Sequence, residues 1–494
     1  MRMRSQLRER CRNRKSVAAA IVACTALFAG QALYSNAQTA TVTLSPGANI
    51  QSAVAANPSG TTFILQPGVY RMQSVIPKDG DVFIGQTGAD LNGSQVLTNW
   101  VRSGSYWTST GAPALNTPFG PASEYCADAT TGCAYPQDLY LNNKPLVHKL
   151  SLPITSGQWY FDYTNDVIYM ADNPAGQTVE LSVTKQAFRG YVNNVKVQNL
   201  VVEKYAVPLL LGAISPYGSN WIINFNGVRL NHGAGIKAGS GQPGADYEII
   251  WNNSVHDNGE EGIAVCCGTG TLVAYNTISN NDFAYVLSEF GGGKIAGTTN
   301  AQVINNTYTN NNGVGLWGDV HATGTIFSGN TVTGSQLEGI RYEISHYGTI
   351  SNNTLRYNGQ YQGSGACNAG REIHLAASDH TTVFGNQITS NCSGIQIDQD
   401  SRNAAVYDSV TDNVTTYPGS TRLFFRIGGK DPLKPSTLFD PASHNYFDYN
   451  TYHFSSPSML TLQNWIWAGT AGPNSPLNWS DWQAAGEDIH GTAD

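Results

Sequence analysis

The sequence predicts an all-β solenoid, in which the chain coils through successive rungs of short strands, with a small β-rich domain inserted near its start. Three observations support this. The 494 residues are 41% hydrophobic and only 13% charged and include 52 glycines, a profile unlike that of a disordered chain or a coiled coil. Short apolar runs bounded by Gly and Asn predict many short strands. A motif built around Asn also recurs along the second half of the chain, as repeat architectures require.

The first 37 residues have the features of a secretory signal peptide. Seven basic residues and the single acid Glu9 precede an apolar stretch at 17–33, and Ser35-Asn36-Ala37 then supplies a small-x-small sequence. A membrane anchor is the alternative, but the apolar stretch is short and is interrupted by Gly30 and Gln31. We therefore expect a secreted or periplasmic protein with no membrane insertion after cleavage.

The net charge limits the possible binding partners, and the cysteine content indicates the redox compartment. The formal charge is −8, and it becomes −14 without residues 1–37, which hold seven basic residues and one acid. This balance argues against nucleic acid and anionic membranes as partners. The even number of remaining cysteines favours disulfides in an exported chain. Cys126 and Cys133 could close a short loop, Cys367 and Cys392 could tie a loop insertion to the next repeat, and the adjacent pair Cys266-Cys267 is either two buried thiols or a vicinal disulfide.

The repeat consists of an Asn, a small residue, an apolar residue and a polar turn, followed by Gly-Ile or its equivalent nine residues after the Asn. The predicted ladder positions are Asn199, Asn226, Asn253, Asn276, Asn306, Asn330, Asn353, Asn386 and Asp408, at intervals of 22 to 33 residues. An Asn at a fixed turn can stack on its equivalents in neighbouring rungs, its amide donating to one and accepting from the other, and it tolerates left-handed backbone. Each repeat is therefore one rung of a solenoid.

These rungs resemble those of right-handed parallel β-helix proteins of the pectate-lyase-like superfamily over about 191–430. The resemblance implies an N-terminal cap and first rungs within 38–100, where Ile50 and Val54 have helical spacing. Leucine-rich repeats and propellers fit less well, because their Leu spacing and Trp-Asp signatures are missing.

Two regions depart from the repeat. Residues 101–190 contain alternating strand patterns at 138–141, 158–162, 167–170 and 178–183 with turn signals between them, which predict an inserted sandwich-like domain. Residues 431–494 are expected to cap the C-terminal end, because a solenoid must cover its last rung. We interpret the tryptophans of this segment, Trp465, Trp467, Trp479 and Trp482, as packing residues rather than as sugar platforms.

Alternation of side chains sorts the strand after each Gly into three files. The predicted inward file is Ile236, Ile263, Val286, Leu316, Ile340, Ile373 and Ile395. One outward file, three residues further on, is Gly239, Cys266, Glu289, Asp319, Glu343, Ala376 and Asp398. The outward file between them is Lys237, Ala264, Leu287, Trp317, Arg341, His374 and Gln396.

Consecutive carboxylates at Glu289, Asp319 and Glu343 would stand about 4.8 Å apart, the spacing of adjacent strands. Like charges this close need compensation by protonation, by Arg341 and His374, or by a bridging cation. Trp and Arg beside acids are typical of a sugar-binding cleft. The candidate substrate-binding residues are therefore Glu289, Trp317, Arg341, His374 and Asp398, with Asp319 and Glu343 as the candidate catalytic pair.

The carboxylate spacing favours a retaining glycosidase, whose two carboxyl groups lie about 5–5.5 Å apart, over an inverting one at roughly 6.5–9.5 Å. The segments Gly315-Leu-Trp-Gly-Asp319 and Tyr342-Glu-Ile-Ser-His-Tyr-Gly348 also resemble the catalytic stretch of the β-helix β-xylosidase family. That resemblance implies that Asp319 is the nucleophile and Glu343 the acid/base. Val320 stands where the family has an aromatic residue, so the resemblance does not fix the sugar.

Two other functions remain open. In a polysaccharide lyase or epimerase, Glu289, Asp319 and Glu343 would hold Ca²⁺, which neutralises a uronate, and Arg341 would abstract a proton. The chain could also be a non-catalytic carbohydrate-binding or surface protein. All three functions imply a polysaccharide or oligosaccharide partner. A cofactor is expected only under the lyase alternative, and the sequence does not predict an oligomeric state.

Overall fold

The chain from Thr41 to Asp494 forms one compact unit made almost entirely of short strands. The computed structural model describes residues 40–115, 126–239, 245–286, 290–359, 370–390, 393–418, 427–430, 437–461, 465–466 and 476–494. The predicted signal peptide, Glu289, Leu287 and the pair Cys367 and Cys392 lie outside the described residues. Within them, every helix is too short or too polar to cross a membrane.

Three parallel sheets wind around a common core, so that each rung contributes one strand to each sheet. The first sheet contains Thr41–Leu44, Thr62–Leu65, Val82–Gly85, Lys196–Gln198, Ile222–Asn224, Ile249–Trp251, Leu272–Ala274, Gln302–Ile304, Ile326–Ser328, Thr349–Ser351, Thr382–Phe384, Ser409–Thr411 and Tyr446–Asp448. The second contains Gly68–Arg71, Ala89–Asn92, Val201–Glu203, Gly227–Arg229, Ser254–His256, Thr277–Ser279, Thr307–Thr309, Thr331–Thr333, Thr354–Arg356, Gln387–Thr389, Val414–Tyr417, Thr451–Phe454 and Thr492–Ala493. The third contains Phe188–Gly190, Gly212–Pro216, Ala234–Ala238, Ile263–Cys266, Gly291–Ala296, Val314–Asp319, Ile340–Glu343, Arg371–Ala376, Ser393–Asp398, Ile427–Lys430, Trp465–Ile466 and Pro476–Leu477, of which the last pairs antiparallel.

A short helix, Ile50–Ala56, lies near the N-terminal end of the solenoid. Asn49 caps it, since the Asn49 side chain accepts a hydrogen bond from the backbone N–H of Ser52. Ile50 and Val54 are buried in the same core cluster as the first strands. The helix thus covers apolar surface that the first rungs would otherwise expose.

The Asn ladder is present, with two corrections at its ends. It runs from Asn226 to Asn450, and each side chain accepts from the backbone N–H and the amide of the Asn before it, as Asn306 does from Asn276. The preceding rung presents Leu200, not Asn199, to the first member. Asn413, not Asp408, follows Asn386, while Asp408 accepts from Thr381 at another corner. Both predicted end positions, Asn199 and Asp408, lie a few residues away from the corner that the ladder occupies.

The left-handed residue of this turn is the one before the ladder Asn, not the Asn itself. Asn252, Tyr275 and Asn305 have φ values of 54°, 57° and 56° and directly precede ladder residues. This frees the ladder Asn to turn its side chain into the stack. The amide group of Asn276 donates to both neighbouring rungs and also to the Ala274 carbonyl of its own turn.

A second ladder, which the sequence reading missed, lies five residues further along each rung. Asn231, Asn258, Asn281 and Asn311 repeat the same hydrogen bonds. Glycines of the Gly-Ile motif pack against this ladder, since a Cβ at Gly235 would lie 2.9 Å from Asn258 Nδ2 and one at Gly262 would lie 2.8 Å from Asn281 Nδ2. The recurrent Gly-Ile motif thus reflects close packing at this corner.

Buried carboxyl groups also accept hydrogen bonds from backbone N–H groups of the preceding rung. Glu372 accepts from the backbone N–H of Asn358, Glu248 from that of Trp221 and Glu487 from that of Phe447. Burial raises the pKa of Glu372 and of Glu487 to about 8 and that of Glu248 to about 9. These side chains are therefore neutral inside the fold at neutral pH.

We expect Asn306→Ala to lower the free energy of unfolding by roughly 2–4 kcal/mol. The substitution leaves buried groups of Asn276, Asn330 and the Val273 carbonyl without a hydrogen-bond partner. Chemical denaturation measures the change. Thr307→Ala, at the next and exposed position, is the matched control and should change stability by less than about 0.5 kcal/mol. Equal stability of the two variants would contradict a structural role for the ladder.

The inserted segment forms two antiparallel sheets and lies within 94–182, whereas Phe188–Gly190 already belongs to the third parallel sheet. One sheet contains Lys144–Pro145, Leu139–Leu141, Val179–Ser182 and Ser94–Val96, and the other Val147–Lys149, Gln158–Asp162, Val167–Met170, Tyr106–Thr110 and Val101–Ser103. In the second of these, Val147–Lys149 pairs parallel with its neighbour. The segment has its own small apolar cluster around Trp159.

Parallel pairing continues past residue 430, because Asn450 extends the ladder and Thr451–Phe454 pairs with Val414–Tyr417. Beyond it, the described C-terminal residues include the 3-10 helix Pro457–Thr461 and helix Trp479–Ala484. Trp465 and Trp482 are fully buried. Trp465 packs against Trp479, and Trp482 against Phe447.

The described part of the chain contains two disulfides, Cys126–Cys133 and the vicinal Cys266–Cys267. The first closes a short loop that lies against Val286. The second resolves the choice between buried thiols and a disulfide at this pair.

Candidate active site

The outward side of the third sheet brings most of the predicted site residues together. Trp317 pairs with Arg341, Arg341 with His374, and His374 with Gln396. Glu343 pairs with Ala376, and Ala376 with Asp398. Asp319 directly follows Gly318, the partner of Tyr342, so Asp319 and Glu343 occupy the next positions on adjacent strands.

The prediction for the rung before Asp319 was wrong in register. Gly293, not Val286, occupies the inward file between Ile263 and Leu316, and Ala296, not Glu289, pairs with Asp319. Val286 instead lies against Cys126 beneath the inserted segment. The file therefore holds Asp319 and Glu343 on adjacent strands, without the third carboxylate that the sequence reading placed before them.

The glycine run 291–293 is part of strand Gly291–Ala296 in the third sheet. Glycine is required because the neighbouring strand lies so near, and a Cβ at Gly292 would stand 2.3 Å from the Gly315 carbonyl oxygen. The strand places Lys294 opposite Trp317, in the outward file where Leu287 was expected.

Asp319 is a nearly buried carboxylate, 6% exposed. One oxygen lies 3.1 Å from Lys294 Nζ, and the other accepts a hydrogen bond from the backbone N–H of Val320 at 2.8 Å. The ion pair and the backbone donor fix the side chain and stabilise its negative charge.

Trp317 lies beneath two cations and is only 3% exposed. Lys294 Nζ lies 3.7 Å from the Trp317 ring centroid, and the Arg341 guanidinium carbon lies 4.9 Å from it. These cation–π contacts hold both basic groups over the ring. Trp317 thus positions cations and does not offer an open face to a sugar.

Glu343 is also nearly buried, at 4% exposed, and it pairs with two arginines. Arg341 Nε lies 3.0 Å from one oxygen and Arg402 Nη1 lies 2.7 Å from the other. The Arg402 side chain is 46% exposed and also pairs with Asp400 at 2.7 Å. Arg341 lies on the outward side of strand Ile340–Glu343, whereas Arg402 reaches Glu343 from a turn outside the sheet.

Asp398 and His374 belong to a neighbouring network with Glu338 and Arg371. His374 lies between Glu338, 3.2 Å from Nδ1, and Asp398, 3.0 Å from Nε2. Burial alone would raise the pKa of Glu338, but the hydrogen bond and charge of His374 and two arginines lower it to about 2. Burial also acts to raise the pKa of Asp398, but His374 and Arg371 lower it overall. His374 is therefore committed to two carboxylates and is closed to substrate in this arrangement.

Basic residues supply the charge compensation that the carboxylates need. Arg341 was expected in this role and fills it, but His374 pairs with Glu338 and Asp398 instead. Lys294 and Arg402 compensate Asp319 and Glu343 and were missed by the sequence reading. Within the described residues, no group of three His, Cys, Asp or Glu side chains is arranged to hold a metal ion.

The missed residues differ in the signal they left in the sequence. The segment Gly292-Gly293-Lys294 corresponds to Gly315-Leu316-Trp317 on the next rung. An alignment that matched these two segments would have placed Lys294 in the outward file. Arg371 and Glu338 each lie two residues before an inward isoleucine, Ile373 and Ile340. Arg402 lies in an irregular turn, and its position carries no repeat signal.

Comparison with known proteins supports the architecture. A family model described as a right-handed beta helix region matches residues 294–420. The structure titled as the complex of XylC with xylose is similar over 84% of this chain and 83% of that chain, with a TM-score of 0.62 and 17% identity.

The A-module of the Azotobacter vinelandii mannuronan C-5 epimerase AlgE6 is similar over 90% of this chain and 92% of that chain, with a TM-score of 0.50 and 13% identity. No curated protein sequence matches the chain. At these identities the likeness bears on the fold alone. The three parallel sheets, the family match and the similar structures identify the chain as a right-handed parallel β-helix protein.

Proposed function

We propose that the protein is an exported, carbohydrate-active enzyme that hydrolyses a glycosidic bond with retention of configuration, using Asp319 and Glu343. The observation that carries the proposal is that these two carboxylates occupy equivalent outward positions on adjacent strands. Adjacent strands lie about 4.8 Å apart, near the separation of about 5–5.5 Å that retaining glycosidases use. The structural likeness to XylC in its complex with xylose supports a saccharide substrate.

The surroundings of the two carboxylates suit different roles. Asp319 is held in place by its ion pair with Lys294 and by the hydrogen bond from the Val320 N–H, which suits a nucleophile. It would attack the anomeric carbon and form a covalent glycosyl-enzyme intermediate. Glu343 would protonate the departing oxygen and later deprotonate the water that hydrolyses this intermediate.

Glu343 must first take up a proton, and its pairing with Arg402 opposes this. Arg402 is half exposed and comes from a turn outside the sheet, so an entering glycan displaces it at little cost in packing. Arg341 stays fixed over Trp317. Substrate entry would thus remove one of the two positive charges that stabilise ionised Glu343.

The anomeric configuration of the first product tests this mechanism. Proton NMR of 4-nitrophenyl β-xyloside hydrolysis should show the β-anomer first, with the α-anomer appearing only by mutarotation. Other aryl glycosides extend the screen if xylose is not the sugar. First appearance of the α-anomer from a β-glycoside would overturn the retaining assignment.

A uronate epimerase or lyase is the second candidate, favoured by one observation. Four basic residues contact the carboxylates on the outward side of the third sheet and could neutralise a uronate carboxylate: Lys294, Arg341, Arg371 and Arg402. The likeness to the AlgE6 module is in keeping with it. Deuterium incorporation at C5 of polymannuronate in heavy water, or absorbance from an unsaturated product, would select this candidate over hydrolysis.

A further inference from the structure

The vicinal disulfide lies in the same outward file as the candidate catalytic pair. Cys266 pairs with Ala296, and Ala296 pairs with Asp319. The disulfide is therefore two strand spacings, about 10 Å, from Asp319 on the side away from Glu343. Cys266 and Cys267 are both partly exposed, as is Ala296 between them and Asp319.

Gly297 has no side chain and leaves a gap beside this file, between Cys267 and Val320, and we call this gap the trough. Exposed Gly297 forms its floor, and a Cβ at Gly297 would stand 3.5 Å from both Cys267 Sγ and the Val320 carbonyl oxygen. Cys267 thus borders the trough on one side and Val320 on the other. Val320 is 49% exposed, although it is apolar and adjoins a cluster of charges. Ligand sites combine an apolar lining with a few polar groups, so Val320, Ala296 and the disulfide together suit a ligand contact.

A bound sugar needs an apolar surface against its C–H face, and the ring next to the catalytic pair does not provide one. Trp317 is buried beneath Lys294 and Arg341. The polarisable sulfur atoms of the disulfide, together with Ala296 and Val320, provide the apolar surface instead. A disulfide between adjacent residues is also compact, so it adds this surface with few side-chain rotamers to order.

We propose that the Cys266–Cys267 disulfide, Gly297 and Val320 form a sugar subsite next to the bond that is cleaved. This rests on the proposed function and deepens it. Glu343 protonates the departing oxygen, so the leaving group lies toward Glu343 and the trough lies on the other side of Asp319. The trough therefore receives the sugar on the non-reducing side of the cleaved unit, and the enzyme favours chains over single sugars.

Two substrates with one leaving group test the subsite, 4-nitrophenyl β-xyloside and 4-nitrophenyl β-xylobioside. The quantity measured is the ratio of their kcat/KM values. Gly297→Asn fills the trough and suits the left-handed backbone there, φ 59°. It should lower the wild-type preference for the xylobioside by roughly tenfold. Gly104→Asn, a matched change at φ 57° in open space of the inserted segment, should leave the ratio unchanged.

The double variant Cys266→Ser/Cys267→Ser removes the sulfur surface and should lower the same ratio, with thermal unfolding showing whether it folds. An unchanged ratio in Gly297→Asn would overturn the subsite. If the wild type cleaves neither substrate, the hydrolase proposal has failed for this sugar, and calorimetry with xylotriose then decides the subsite. Weaker xylotriose binding by Gly297→Asn than by Gly104→Asn would support it, and equal affinities or no binding would overturn it.

Discussion

Replacement of Asp319 by alanine is expected to lower kcat/KM for an aryl glycoside on the order of 10⁵-fold. The change removes the nucleophile, and no neighbouring group can replace it, because Lys294 is cationic and the Ala296 side chain is inert. The measurement is steady-state release of 4-nitrophenol, with circular dichroism to verify folding.

Azide provides a chemical control for Asp319→Ala. The small anion fits the space left by the carboxylate and attacks the anomeric carbon directly, so the product should be a glycosyl azide of inverted configuration. Asp319→Asn, which retains an acceptor for the Val320 N–H, should be as inactive as the alanine variant. Wild-type activity in either variant would exclude Asp319 as the nucleophile.

Glu343→Ala should show an effect that depends on the leaving group. For an alkyl glycoside or disaccharide, which needs protonation to depart, kcat should fall on the order of 10³-fold. For 2,4-dinitrophenyl glycosides, which leave without a proton, the first step should be almost unaffected. Steady-state and pre-steady-state kinetics with the two substrate types measure this difference.

Azide should accelerate the Glu343→Ala variant and yield a glycosyl azide of retained configuration, because it then attacks the intermediate on Asp319. Arg402→Ala is the matched control, since it removes a partner of Glu343 and leaves the carboxyl group. It should not create azide dependence. An equal loss of activity with both leaving groups in Glu343→Ala would contradict an acid/base role.

Much of the fold was accessible from the sequence because the corner hydrogen bonds demand Asn at fixed intervals. Asn253, Asn276 and Asn306 stack as predicted, and their Gly-Ile or equivalent strands set the inward and outward files. The relation of Asp319 to Glu343 followed from this register, since both lie three residues beyond inward positions on adjacent strands.

The predicted register was wrong in one rung, which is longer than its neighbours and contains an apolar residue that also fits the repeat pattern. Val286 stands ten residues after Asn276 and is buried, so it satisfies the pattern, but it packs against Cys126 from the inserted segment. Contacts of this kind depend on tertiary structure and leave no periodic trace. For the same reason Arg402, which reaches Glu343 from a turn more than 50 residues later in the chain, was not predictable.

The buried carboxyl groups that link neighbouring rungs alter the net charge of the native protein. A net charge calculated from the composition counts as anions Glu248, Glu372 and Glu487. Their pKa values of about 9, 8 and 8 keep these side chains mostly protonated and uncharged at pH 7. The native molecule is therefore less acidic than its composition suggests. The long-range repulsion of a negatively charged polymer such as a uronan is correspondingly weaker, and the local field of Lys294 and the arginines dominates near the groove.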